Sequence, residues 1–239
     1  MGDKRVIIEA FTDLSPRYEQ VVDGELKRFW GWSYDGFIEN LINMSDIQDE
    51  DVVLDVATGT AVIPRKLIKK GKKNGQIIGL DITLAMLNKA SQKIETTGPS
   101  TIIKLTCGSA MSMPYKEELF DAIICGLATH HLDVPVVLGE MKRVLKVGGK
   151  LTIADVGGST SWRLPLISQL IRLATFFYFL PKEGYARARS EASALANVYT
   201  ANEWKEKLEE QGFNKIVTLN LPTSHFWSPS PLVIRAEKK

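Results

Sequence analysis

The residues best suited to chemistry cluster in VLDVATGTAVIPRKL, residues 53–67. An apolar run ends in Asp55, the small residues Ala57, Thr58, Gly59 and Thr60 follow, and a helical pattern begins near Thr60 or Ala61. Placed at a strand end, such a turn points the N–H groups of the first helical turn at whatever binds outside the sheet. A second acid, Asp81, closes the run QIIGLDI at about the separation from Gly59 that lets an acid reach ribose hydroxyls in βαβ nucleotide sites. Acids at two successive strand ends with a small-residue turn between them predict a nucleotide-like ligand. Residues 57–62, ATGTAV, lack the G-x-G-x-x-G that lets backbone approach a pyrophosphate, which argues against a dinucleotide-dependent oxidoreductase.

Farther along, FDAIICGLATHHL brings Gly126 and the adjacent pair His130 and His131 to the end of another apolar run. Neighbouring side chains point in different directions, so one histidine at most is expected to face a pocket, with His131 favoured. Cys107 and Cys125 both sit in apolar runs and are expected to be buried, reduced thiols. Metal-ligand spacing is absent, so no metal is expected. The basic run KLIKKGKKNG, residues 66–75, reads as a solvated helix end.

The elements that position these residues follow from pattern. Residues 1–48 are helix-like, with Phe29, Trp30, Trp32, Tyr34 and Phe37 crowded around Gly31 and Gly36, and suit a cap. Residues 49–156 alternate short strand-like runs with helical ones, which implies βαβ units and a parallel sheet. Residues 157–198 form an apolar helical insertion, in which Leu166, Leu170, Leu173, Phe176, Phe177 and Leu180 recur at helical spacing. Residues 199–239 add a helix and the runs KIVTLNL and PLVIRAE, whose short Pro- and Ser-rich connection, residues 222–230, predicts an antiparallel pair. With 239 residues the chain is expected to be one α/β domain. Its net charge of +2, from 30 basic and 28 acidic residues, gives no strong field toward nucleic acid. Leu164–Leu180 is interrupted by Gln169 and Arg172, so stable membrane insertion is not expected, and MGDKRVIIEAF lacks a secretory h-region, so a cytoplasmic protein is.

These runs together resemble the class I S-adenosylmethionine-dependent methyltransferases. DVATGTA resembles their first motif, GLDI the second, CGSAMSMPY the adenine-contacting segment, FDAIICGLATHHL the fourth strand, and MKRVLKVGGKLTIADV the helix, glycine turn and fifth strand. FTDLSPRYEQVVDGELKRFWGW further resembles the N-terminal helices of the ubiquinone/menaquinone-biosynthesis C-methyltransferases and their small-molecule relatives. The resemblance implies a Rossmann-like fold with a seven-stranded, mostly parallel sheet, an antiparallel last strand, a helical cap and a helical lid after the fifth strand.

It also implies S-adenosylmethionine as cofactor and S-adenosylhomocysteine as product. The implied cofactor positions are Asp55, Ala57, Thr58, Gly59, Thr60, Asp81, Ile82, Met86, Gly108, Ser109, Ala110, Cys125, Gly126 and Leu127. Tyr18, Trp30, Trp32, Phe176 and Phe177 fall on the substrate side. Methyl transfer from a sulfonium needs chiefly orientation, and a phenolic or hydroquinone acceptor also needs a base, a role suited to a histidine: His131, with His130 in reserve. The expected acceptor is small and apolar or aromatic, methylated on carbon or oxygen.

Ala57 and Ala61 replace two motif glycines, which leaves Gly59 as the residue expected at positive φ. Ser109 replaces an acidic or amide residue, and Val147 a proline. Residues 184–200 lack the polar substrate-side pattern of the quinone enzymes. The competing reading is a catalytically silent cofactor-binding module of the same fold.

Overall fold

The computed structural model describes residues 4–97, 102–224 and 229–239. Three helices come first: α1 (Lys4–Leu14), α2 (Tyr18–Trp30) and α3 (Tyr34–Ser45). Gly31, in the left-handed region at φ 78°, stops α2, and the Ser33 hydroxyl caps α3 by accepting the Gly36 N–H. Strands and helices then alternate as β1 (Val52–Val56), α4 (Val62–Lys69), β2 (Gln76–Asp81), α5 (Leu84–Thr97), β3 (Ile103–Cys107), β4 (Phe120–Gly126), α6 (Val134–Val144) and β5 (Leu145–Asp155). After the insertion helix α7 (Pro165–Ala194) come α8 (Ala201–Glu210), β6 (Phe213–Asn220) and β7 (Leu232–Lys238).

One seven-stranded sheet has the order β3-β2-β1-β4-β5-β7-β6. The first five strands are parallel, whereas β7 runs antiparallel to both β5 and β6. The antiparallel pairing of the last two runs is as their short connection predicts; residues 225–228 of that connection lie outside the described residues. Successive residues of each strand serve opposite faces. Leu54, Val56, Ile123 and Cys125 pack with α6 and α8 around Trp204, while Val53, Ala122 and Ile124 pack with α3 and α4 through Phe37, Leu41 and Leu67.

Chain order reverses between β1 and β4, the place where α/β sheets open a crevice at their carboxyl ends. Asp55, Asp81, Cys107, Gly126 and Asp155 lie at or next to the ends of β1 to β5, so the sheet lines them up along one rim.

Two expectations change. Cys125 is buried, but Cys107 is exposed because it ends the edge strand. The basic run is less solvated than expected: Lys66 pairs with Asp35 and Glu39, each at 2.9 Å, and buried Lys72 donates to the carbonyl of Gln48 at 2.9 Å. No helix among the described residues is long and apolar enough to cross a membrane.

Candidate active site

Between β1 and α4 the backbone takes positive φ three times, at Ala57 (57°), Gly59 (54°) and Ala61 (59°). The expectation that only Gly59 would do so is therefore corrected. A left-handed alanine costs ~1–2 kcal/mol, which the turn's own hydrogen bonds offset. The Thr58 N–H donates to the Leu80 carbonyl at 3.0 Å, the Ala61 N–H to the Thr58 carbonyl at 2.9 Å, and the Gly59 N–H to Asp81 Oδ2 at 2.9 Å.

Asp81 Oδ1 accepts the Thr83 N–H at 2.8 Å. Burial pushes this carboxyl up in pKa, with the N–H groups of Thr83 and Gly59 acting against it. The residue lines a cavity, where its carboxylate oxygens can accept hydroxyl donors from a ligand. Asp55 is wholly buried beneath the turn; its Oδ2 takes the Thr58 hydroxyl at 2.5 Å, and its Oδ1 has no partner among the described residues. Burial pushes Asp55 up to about 8.

Outside these strand ends lies a cavity of about 550 Å³ whose wall includes Ala57, Asp81, Ile82, Gly108, Ser109 and Ala110. Gly59, Met86, Gly126 and Leu127 border a smaller space of about 80 Å³ that shares Ala57, Asp81 and His131 with the first. Four expected cofactor residues are not on either wall. Asp55 and Thr58 bond to each other, the Thr60 hydroxyl donates to Glu19 at 2.6 Å, and Cys125 belongs to the core. Ile7 of α1 lines both spaces, and Phe11 lines the smaller; their i, i+4 spacing on one helix face was the available signal.

A third cavity of about 490 Å³ is enclosed mostly by apolar side chains. Tyr18, Phe29 and Trp30 of α2 form one wall, and Ile171, Thr175, Phe179, Arg187 and Glu191 of α7 form another. Tyr18, Leu127 and His131 border both this cavity and the small one, so they mark the junction. Trp32, Phe176 and Phe177 are not part of its lining. The Trp32 indole instead donates to the Pro222 carbonyl at 2.7 Å. Phe177 shares a helix face with Leu166, Leu170 and Leu173, all more than half exposed, while Ile171, Thr175 and Phe179, four apart, hold the inward face.

Both histidines line the third cavity, contrary to the expectation that one at most would. A 3-10 turn, Thr129–His131, sets their rings 4.2 Å apart, centroid to centroid. His130 Nδ1 lies 2.5 Å from Asp155 Oδ1, and Asp155 also accepts the Thr129 hydroxyl, the His130 N–H at 3.1 Å and the Val156 N–H at 2.7 Å. Burial disfavours both charges of the pair, but their mutual attraction prevails: His130 is raised above its ordinary pKa and Asp155 lowered. His131, with Nε2 3.3 Å from Glu191 and Nδ1 3.3 Å from the Ser190 hydroxyl, is lowered by burial and by the neighbouring His130.

Residues 184–200, which lack the family's polar pattern in sequence, nevertheless bring the buried polar side chains of Arg187 and Ser190 to this region, together with Glu191. Their signal was the i, i+4 pair Arg187 and Glu191, 3.1 Å apart. His130, His131 and Glu191 offer ligand atoms within 4.8 Å of one another, but the same Glu191 oxygen faces the Arg187 guanidinium, a fixed positive charge that opposes a cation there.

The model of the ubiE/COQ5 methyltransferase family matches residues 2–220, nearly the whole chain. The chain belongs to the ubiE/COQ5 methyltransferase family. This methyltransferase is 27% identical over 223 residues to a demethylmenaquinone methyltransferase of Lactobacillus johnsonii, covering 89% of this chain and 86% of that one. It is 32% identical over 178 residues to a demethylmenaquinone methyltransferase of Shouchella clausii, covering 72% of each. A SAM-dependent methyltransferase from Aquifex aeolicus superposes with a TM-score of 0.62 at 18% identity, covering 92% of this chain and 97% of that one. The geranyl diphosphate C-methyltransferase of Streptomyces coelicolor superposes with a TM-score of 0.64 at 12% identity, over 85% of this chain and 77% of that one. These structures share the Rossmann-like methyltransferase fold. The protein is an S-adenosylmethionine-dependent methyltransferase.

Proposed function

We propose that this methyltransferase methylates a ring carbon of a small, apolar, hydroquinone-like acceptor held in the cavity between α2 and α7. The observation that carries the reading is the junction at Tyr18, Leu127 and His131, where the strand-end space meets an aromatic-walled cavity beside the His130–Asp155 pair. The names of the two relatives point to the same acceptor class.

The residues present fit S-adenosylmethionine. Asp81 faces the cavity with a carboxylate suited to a ribose diol, the left-handed turn at Gly59 leaves its wall without a side chain, and Ile82, Gly108, Ser109 and Ala110 line the same cavity where an adenine would sit. Asp55 Oδ1 is an orphaned acceptor beneath the turn, and a nearby ammonium would favour its charged form. When bound, the cofactor supplies a methyl group activated by its cationic sulfur.

On the acceptor side we assign the base to His130. Asp155 takes up the Nδ1 side of the ring, so the neutral tautomer carries its proton there and keeps a lone pair on Nε2. A ring carbon that gains a methyl group must lose its proton, and that proton would pass to Nε2 of His130. Asp155 stabilises the resulting imidazolium. His131, lowered by burial and by His130 against the pull of Glu191, shapes the junction, and α1, α2 and α7 exclude water.

The test is turnover of S-adenosylmethionine with reduced demethylmenaquinone carrying a short isoprenoid tail, followed by NMR of the product. A ring C-methyl product is expected. Turnover of small amines, with none of any hydroquinone, would reject the reading.

A further inference from the structure

Arg187 stands on α7 just past a break at Gly184, whose φ of 82° and ψ of 178° interrupt the helix. Past the break, Arg187 brings its guanidinium to the wall of the mostly apolar cavity. The Arg187 side chain is 7% exposed. Its carbon centre lies 5.1 Å from the Phe11 ring centroid and 5.6 Å from that of Phe179.

Two acids approach it through a single nitrogen: Nη2 is 3.1 Å from Glu191 and 3.4 Å from Glu25. Nε and Nη1 are buried and have no partner among the described residues. Buried donors are almost always paired, and Arg187 borders the cavity, so its two orphaned donors call for an acceptor from a ligand bound there.

Resting on the acceptor-cavity reading above, we propose that Arg187 is a substrate anchor that binds an acidic oxygen of the acceptor, a phenolate or enolate, through Nε and Nη1. Carbon methylation gains directly from this contact. A ring oxygen that carries negative charge pushes electron density onto the neighbouring ring carbons, and a guanidinium that holds the oxygen also fixes which carbon faces the junction at Tyr18 and Leu127. Glu191 neutralises the resting charge of Arg187. Burial pushes Glu25 up to about 7, with Arg187 acting against it, so Glu25 can be neutral when an oxyanion arrives.

Two probes of matched shape test the anchor: 2-hydroxy-1,4-naphthoquinone, which is ionised at neutral pH, and neutral 2-methoxy-1,4-naphthoquinone. Calorimetry on the enzyme saturated with S-adenosylhomocysteine should show the hydroxy probe bound roughly 10–100-fold tighter, the scale of a charge-assisted hydrogen bond. Arg187→Met should abolish that preference, Arg187→Lys should retain part of it, and Glu25→Gln should keep or increase it. Affinity for S-adenosylhomocysteine alone reports folding of each variant, because Arg187 and Glu25 are not on the wall of the strand-end cavity. Binding of both probes with the preference intact in Arg187→Met would overturn the anchor and leave the cavity assignment standing. Failure of both probes to bind the wild-type enzyme would instead remove the acceptor-cavity reading, and the anchor with it.

Discussion

Replacing Asp155 by Asn separates His130 from His131 as the base, because the two rings are shifted in opposite directions. Asp155 raises His130, whereas His131 is lowered by burial and by His130. With His130 as base, kcat in the wild-type enzyme should rise with pH through an apparent pKa above 6.5. In the Asp155→Asn enzyme burial still lowers the ring and only the more distant charge of Glu191 still raises it, so the inflection should move down. The plateau falls too, by an amount that depends on how the amide is seated.

If the amide oxygen sits where Oδ1 was, it still accepts from Nδ1, but the NH2 then faces the His130 N–H. The lost charge-assisted bond is worth about 1.5–3 kcal/mol, or roughly 10–150-fold in rate. The reverse seating turns the NH2 toward Nδ1, moves the ring proton to Nε2 and removes the base, with a loss of up to about 10⁴-fold. The assay is kcat across pH 5–9, with circular dichroism to follow folding. An unchanged inflection and plateau would refute the assignment. Stability gives a second signature: the raised His130 contributes fully below its unfolded pKa of ~6.5, and the lowered Asp155 contributes fully above its unfolded pKa of ~3.9. The Tm deficit of the variant should therefore be largest between about pH 4 and 6.5 and shrink as pH rises through the folded pKa of His130 or falls through that of Asp155.

Asp81→Ala should weaken S-adenosylhomocysteine binding roughly 10–150-fold by calorimetry, since it removes the ribose acceptor and frees the Gly59 and Thr83 N–H groups. Ala57→Gly should raise stability in urea by about 0.5–1 kcal/mol, as relief of the positive φ exceeds the added entropy of the unfolded chain; a loss of stability would show the turn to be unstrained. Gly184→Ala meets no atom within 4 Å, so its cost is backbone strain of about 1–3 kcal/mol in a glycine-only region. Because Arg187, Ser190 and Glu191 follow the break, KM for the acceptor should rise while S-adenosylhomocysteine affinity holds.

Much of the cofactor side was legible in the chain itself. Local patterns place Asp55 and Asp81 at strand ends and Gly59 in the turn between them, because strand periodicity, turn chemistry and helix starts are encoded by residues a few positions apart. The alternation of runs likewise implies the parallel order that puts those ends on one rim. Where local rules misled, a longer-range contact overrode them: the Leu80 carbonyl and Asp81 hold the turn around Ala57 and Gly59 in left-handed backbone, and the edge position of β3 exposes Cys107.

The acceptor side was decided by tertiary structure. His130 and Asp155 are far apart in sequence and meet because β4 and β5 end side by side. Arg187 and Glu25 lie farther apart still, on α7 and α2, and meet only in the folded chain. The helical spacing of Leu166, Leu170, Leu173, Phe176 and Phe177 was readable, but which face of α7 turns inward was not, since both faces are apolar and docking against α1 sets the rotation. Periodicity specifies an element and its faces; the partner of each face, and so the chemistry of the cavity, depends on burial summed over contacts that no local window contains.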